Sequence, residues 1–281
     1  MNKNVQTFLA CDAYYENADI ALFGVPFDGT TSFRPGTRFG PSAIRNESFG
    51  IETYSPYCDK DLTELRIFDG GDLDLPFGNT ERVLQIIEDY TKTLLSDEKI
   101  PVMLGGEHLI TLGSVRAVLA KYPDLHIIHF DAHTDLRMDY IGEELSHSTV
   151  MKQIWNLVGD GRIHQFGIRS GERYEFEFAK VHTDIHKFDL NDFQALLPKL
   201  QGKPVYFSLD LDVLDPSIFC GTGTPEAGGV SFKELLDAIL MLNRLTIVGC
   251  DINELSPHYD PSGSSTAVAC KLTREILLQI K

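Results

Sequence analysis

The sequence predicts an α/β chain, a three-layer αβα sandwich around a mainly parallel central sheet. Two observations carry that expectation. Short apolar runs recur along the 281 residues, with stretches of helical hydrophobic period between them. The central runs, Val102-Met103-Leu104 and Ile127-Ile128, are apolar on successive residues instead of alternating, as befits strands covered on both faces. No internal repeat, low-complexity tract or linker interrupts the pattern, so residues 1–281 are expected to form one domain.

In chain order the strand candidates are residues 20–25, 67–69, 100–104, 125–130, 162–168, 204–211 and 245–250. Helical patterns fill 80–95, 109–121, 149–158, 191–200 and 231–243, and a last one over 264–280 closes the chain. Ser231, with Glu234 three residues on, is a capping box that opens its helix.

Composition narrows the function. Hydrophobic residues make up 43%, enough for a sizeable core, and 25 Lys+Arg against 41 Asp+Glu give a formal net charge of −16. Such a chain repels phosphate backbones and anionic lipid, which argues against nucleic-acid and membrane roles and suits a cationic ligand. No run approaches the ~20 apolar residues that span a bilayer. The start, Met1-Asn2-Lys3-Asn4-Val5-Gln6, has no apolar leader, and five cysteines are odd in number and lie at no metal-ligand spacing. A cytoplasmic protein is expected.

In parallel sheets, ligands gather outside the carboxyl ends of the strands. Four strand ends here deliver acids and imidazoles to that edge: Gly105-Gly106-Glu107-His108, Asp131-Ala132-His133-Thr134-Asp135, Asp210-Leu211-Asp212 and Asp251-Ile252-Asn253-Glu254. In extended chain, residues i, i+2 and i+4 face one way, so Asp131, His133 and Asp135 share a side, as do Asp210 and Asp212. Four carboxylates together repel one another unless cations relieve them, and neither motif contains Lys or Arg. Two divalent ions would serve, with Asp131 and Asp210 each able to bridge them. Water between two such ions is acidified to hydroxide, and Asp135 beside it is the near candidate to move a proton.

These blocks, together with Ser208-Leu209-Asp210-Leu211-Asp212-Val213-Leu214-Asp215-Pro216, resemble the signatures of the ureohydrolases, the arginase and agmatinase family. Arg34-Pro35-Gly36-Thr37-Arg38-Phe39-Gly40-Pro41 and Gly221-Thr222-Gly223-Thr224-Pro225-Glu226 support the resemblance, which spans about residues 20 to 280 in the family's order. It implies an arginase-like fold and two Mn²⁺ per chain. One ion would take His108, Asp131, Asp135 and Asp210, the other Asp131, His133, Asp210 and Asp212. Two imidazoles and four carboxylates without thiolate favour manganese over zinc. The resemblance further implies a bridging hydroxide attacking a guanidinium held by Glu254, with His147 as the substrate-side, proton-shuttling histidine. Its partners would be a small cationic guanidino substrate and copies of itself in a trimer or hexamer.

The similarity is greatest to prokaryotic agmatinases, which implies agmatine plus water giving putrescine and urea, a step of polyamine synthesis. Arg137 stands where arginases carry an Asn, which disfavours arginase. Guanidinobutyrase and formimidoylglutamase are alternatives, as is a non-catalytic metal-binding scaffold. A two-metal phosphoesterase is disfavoured because no Gly-Asn-His block is present. Two departures from the family are Glu107 in place of a common Asp and Ser148 in place of a common Gly. Glu143 and Glu144 are read as solvated loop acids, with either one an alternative candidate to meet the far ammonium of agmatine. The remaining histidines, His126, His129, His164, His182, His186 and His258, are read as structural, and Cys220 as a packed small residue.

Overall fold

The unbroken apolar runs become buried strands because each is sandwiched between two helical layers. In the computed structural model, which describes residues 6–280, eight parallel strands form one sheet. They are β1 (Ile20–Val25), β2 (Ile67–Asp72), β3 (Ile100–Gly105), β4 (His126–Phe130), β5 (Ile163–Ile168), β6 (Asp184–Lys187), β7 (Pro204–Asp210) and β8 (Thr246–Asn253). Their order across the sheet is β2-β1-β3-β8-β7-β4-β5-β6. The helices are α1 (Gly40–Glu47), α2 (Thr80–Ser96), α3 (Thr111–Lys121), α4 (Val150–Val158), α5 (Arg173–His182), α6 (Phe193–Leu196), α7 (Phe232–Ile239) and α8 (Ser264–Gln279).

Alternate residues of each strand feed two cores. Leu22, Val102, Leu104, Phe207 and Leu209 pack with Ile44 of α1, Phe193 of α6, Leu235 of α7 and Ile276 of α8. Phe23, Met103, Ile127 and Tyr206 pack with Val83 of α2, Val115 of α3, Ile154 of α4 and Ala179 of α5. The three-layer expectation holds, and the sheet is parallel throughout. The Ser231–Glu234 capping box is present, with Ser231 N–H donating to Glu234 at 2.7 Å and Glu234 N–H to Ser231 at 3.2 Å.

Three elements carry no clear sequence signal. In α5, Tyr174, Phe176 and Phe178 alternate with Glu175 and Glu177 as in a strand, yet a reciprocal Glu172–Glu175 cap starts a helix. The strand β6 is a four-residue sheet edge in which only Ile185 is apolar. The helix α1 begins on Gly40-Pro41, a pair that reads as a turn. No helix among the described residues is long and apolar enough to cross a membrane.

The four middle strands, β3, β8, β7 and β4, are the ones whose carboxyl ends carry the acids and imidazoles. Their register levels those ends: Ile252 lies beside Leu104, Asn253 beside Asp210, and Leu209 beside Phe130.

Candidate active site

Two glycines let the chain leave β3 where it must. A Cβ on Gly105 would meet Asn253 Oδ1 at 1.8 Å, and one on Gly106 would meet the Phe27 carbonyl at 1.9 Å. The tight exit brings His108, buried at the start of a short 3-10 helix, over the ends of β4 and β7. Its Nδ1 lies 3.1 Å from Asp131 Oδ2, 3.2 Å from Asp135 Oδ2 and 3.3 Å from Asp210 Oδ2. A few ångströms on, His133 Nδ1 lies 3.1 Å from Asp212 Oδ2 and 3.4 Å from Asp131 Oδ1. The backbone N–H groups of His133 and Asp212 donate to Asp131 at 2.6 Å and Asp210 at 2.8 Å, fixing one oxygen of each. All six residues singled out as candidate ligands come together. Among the described residues no Lys or Arg pairs with the four aspartates.

The protonation pattern of His108 tests whether a cation fits. Tyr206 OH, Ser208 Oγ and Asn253 Nδ2 all donate to Asp251, at 2.7, 2.6 and 2.7 Å. With its proton given to Asp251, Ser208 Oγ accepts from His108 Nε2–H at 2.9 Å. In the neutral ring this leaves the lone pair on Nδ1, and this buried atom has no hydrogen-bond partner although three carboxylate oxygens surround it. Lone pairs facing lone pairs in a dry site are repulsive unless a cation lies between them. The donor set fits divalent metal.

His129 also belongs to this cluster, although the sequence reading left it structural. Gln165 Nε2 donates to the Thr134 carbonyl at 2.8 Å and faces His129 Nδ1 at 3.1 Å. The His129 proton therefore sits on Nε2 and is given to Asp131 Oδ2 at 2.7 Å. Its position two residues before Asp131, on the same strand face, was the available signal. His108, His129, Asp131 and Asp135 offer ligand atoms within 4.8 Å of one another, and Asp131, His133 and Asp212 form a second such group. Since the His129 nitrogen nearer the acids carries its proton, we read His129 as a donor to Asp131.

Electrostatics divide the acids. Burial, reinforced by Asp212 and Asp131, pushes Asp210 well above the ordinary carboxylate range. Burial also acts to raise Asp131, but His129, His108 and His133 outweigh it and hold Asp131 well below. Asp135 (φ 52°) and Glu254 (φ 67°) both adopt the left-handed backbone region, rare for residues with a Cβ and concentrated at working sites.

The cluster opens into a cavity of about 400 Å³ lined by His133, Asp135, His147, Glu172, Asp210 and Arg137 among others. Glu254 is buried one layer behind its wall. Its Oε1 takes the His108 N–H at 2.8 Å and lies 3.8 Å from His147 Nδ1. Burial alone would lower the His147 pKa, but Glu254, Glu107 and Asp135 raise it. Arg34 ties the two supporting blocks together by donating to the carbonyls of Thr222 at 2.9 Å and Gly223 at 3.2 Å. Glu143 and Glu144 line neighbouring surface clefts, not this cavity, and besides Asp135 and Asp210 the acids on its wall are Glu172 and Glu175. Glu175 is committed to Thr134, Leu136 and Glu172, while Glu172 is 60% exposed at the mouth. Cys220 is exposed, contrary to the packed placement expected.

A parallel αβα sandwich with an acid-and-imidazole cluster at the carboxyl ends of its central strands defines a metal-dependent hydrolase class, and the chain belongs to the arginase family, which matches residues 18–279. It is 49% identical over 277 residues to the agmatinase of Bacillus subtilis (strain 168), covering 97% of this chain and 96% of that one. Among solved structures it is similar to a Clostridium difficile protein proposed to be an agmatinase (TM-score 0.93, 50% identity, 95% of this chain and 98% of that one). It is also similar to the agmatine ureohydrolase of Thermoplasma volcanium (TM-score 0.88, 35% identity, 98% and 94%).

Proposed function

We propose that this chain hydrolyses agmatine to putrescine and urea with two Mn²⁺. His108, Asp131, Asp135 and Asp210 would hold one ion, and Asp131, His133, Asp210 and Asp212 the other. The thiolate-free set of imidazole and carboxylate supports manganese. Bound there, the ions supply an activated water at neutral pH.

The chain's own groups do the rest. A guanidinium carbon is a poor electrophile and must be aimed. Glu254, fixed by the His108 N–H, offers its carboxylate for charge-assisted hydrogen bonds that orient the guanidinium planar against the aspartates. Asp135, on the cavity wall, takes the nucleophile's proton and returns it to the departing amine. His147 Nδ1 faces the same space from the substrate side. The leaving diamine's far ammonium would reach Glu172 at the mouth.

The acidity of the cavity carries the choice of substrate. Asp135, Asp210, Glu172 and Glu175 line it, and Arg137 is directed at Glu172 (3.6 Å) and Glu175 (3.9 Å). A tail ending in ammonium suits such a wall, and one ending in carboxylate does not. Five free cysteines support a reducing, cytoplasmic setting.

The test is product release after manganese loading, across agmatine, arginine, guanidinobutyrate and formimidoylglutamate. Agmatine should lead in kcat/KM by about 100-fold or more, the difference of one or two charge contacts. A preference for a carboxylate-bearing substrate would overturn the assignment.

A further inference from the structure

One buried carboxylate beside the cluster has no part in the chemistry above. Glu107 is fully buried and precedes His108, yet its hydrogen bonds run to the loop after β1. It accepts the Thr30 N–H at 2.8 Å, the Thr31 hydroxyl at 3.1 Å and the Thr30 hydroxyl. Because the Thr30 hydroxyl spends its proton on Glu107, its oxygen is left as an acceptor, and it takes the backbone N–H of His147 at 3.0 Å. Two residues on, the Ser32 N–H points at His147 Nε2 from 3.1 Å, with Ser32 Oγ 2.7 Å from the same nitrogen. A backbone N–H can only donate, so Nε2 must present its lone pair, and the proton of the neutral ring belongs on Nδ1. Nδ1 is the nitrogen 3.8 Å from Glu254 Oε1.

We propose that Glu107 and Thr30 are positioning residues: they strap residues 30–32 onto His147 and so hold its Nδ1–H toward Glu254 and the substrate. The proposal deepens the agmatine reading and rests on it for the identity of the substrate. Residues 30–32 grip His147 twice, at its backbone N–H and at its ring, and Glu107 grips residues 30–31 in turn. Among the described residues, the Thr30 hydroxyl is hydrogen-bonded only to Glu107 and His147.

Thr30→Val keeps the side-chain shape and removes the hydroxyl, Thr30→Ser restores it, and Glu107→Gln removes the charge. The first readout needs no substrate: the rate at which diethyl pyrocarbonate modifies His147 in the manganese-loaded protein, followed by peptide mass spectrometry. With Nε2 taken by Ser32 the rate should be slow. It should rise about fivefold or more in Thr30→Val and Glu107→Gln as the loop opens locally, and return toward the parent value in Thr30→Ser. The second readout is kcat on agmatine, expected to fall about tenfold in Thr30→Val at unchanged metal content and to be largely rescued in Thr30→Ser. Unchanged His147 modification in Thr30→Val overturns the proposal, as does a loss of kcat that Thr30→Ser fails to rescue. If Glu107→Gln does not fold, the Thr30 pair decides alone. If the parent protein leaves agmatine intact, the substrate reading fails while the modification rates still judge the strap.

Discussion

Loading the metal-free protein with Mn²⁺ at pH 7 should expel protons, and the geometry sets the scale. Oxygens of Asp131, Asp135 and Asp210 all lie within 3.3 Å of His108 Nδ1. No two of them can then be more than about 6.6 Å apart, where unit charges repel by about 2.5 kcal/mol at an effective dielectric of about 20. Three such pairs amount to about 7.5 kcal/mol of repulsion. Burial alone would lower the His108 pKa, but Asp131, Asp135 and Asp210 outweigh it and hold it well above the ordinary range, so the metal-free ring also has a proton to give up. His129 and its neighbours hold Asp131 ionised, so the proton retained among the acids belongs on Asp210, which burial, Asp212 and Asp131 push well up. A metal ligand must be deprotonated. The raised pKa therefore means that the ion displaces a proton at neutral pH. Apparent affinity should climb about tenfold per pH unit for each proton released, flattening above the Asp210 pKa. Isothermal titration calorimetry in two buffers of different ionisation enthalpy counts these protons, with at least one per pair of ions expected. Equal heats in the two buffers, with metal bound, would refute the argument.

Glu254→Gln keeps an oxygen for the His108 N–H but loses the charge that faces guanidinium. Its kcat/KM on agmatine should fall about 100-fold or more while metal content holds, and an unchanged value removes Glu254 from the substrate contact. Away from the site, Arg45 is 3% exposed, 2.8 Å from the buried Asp69 and paired with Asp72. Arg45→Met should destabilise the fold by about 3–5 kcal/mol by stranding Asp69, as read from urea midpoints. Adding Asp69→Asn should recover part of that loss, and a cost under about 1 kcal/mol for the single variant would contradict the stranded-charge account.

How much was legible in the sequence followed from what repeats locally. Central strands such as β3 and β7 announced themselves because both faces are buried, which keeps the run mainly apolar even where β7 admits Ser208. The last run, over 245–250, stops short of Asn253 because Asp251 and Asn253 are polar residues buried on hydrogen bonds to one another and to β7. The alternation in α5 misleads because Tyr174 is exposed and the helix buries only Glu175 and Ala179, so its aromatics do not mark one buried face. Five cluster residues were readable from the DxHxD and DxD spacing and His108 from the glycine pair before it, although the chain is not extended throughout: Asp212 sits in a 3-10 turn and Asp135 has left-handed backbone. Links between distant segments left no such trace: Thr30 to Glu107, Ser32 to His147, and Ser208 to Asp251 join residues 77, 115 and 43 positions apart.

Those distant links decide what the acids can do. A crowd of aspartates around an imidazole could in principle settle itself with a proton on the ring. Here the hydrogen bonds set the tautomer of the ring and seat a second proton poorly, although the acids hold the His108 pKa well above its ordinary range. Tyr206 and Asn253 donate to Asp251, Asp251 takes the Ser208 proton, and Ser208 takes the proton from His108 Nε2. A second proton on Nδ1 would find three oxygens 3.1–3.3 Å away and none aligned to accept it. On the other side Gln165 turns the one donor of His129 onto Asp131. The Nδ1 position ringed by three acid oxygens is thus better filled by a bound ion than by a proton.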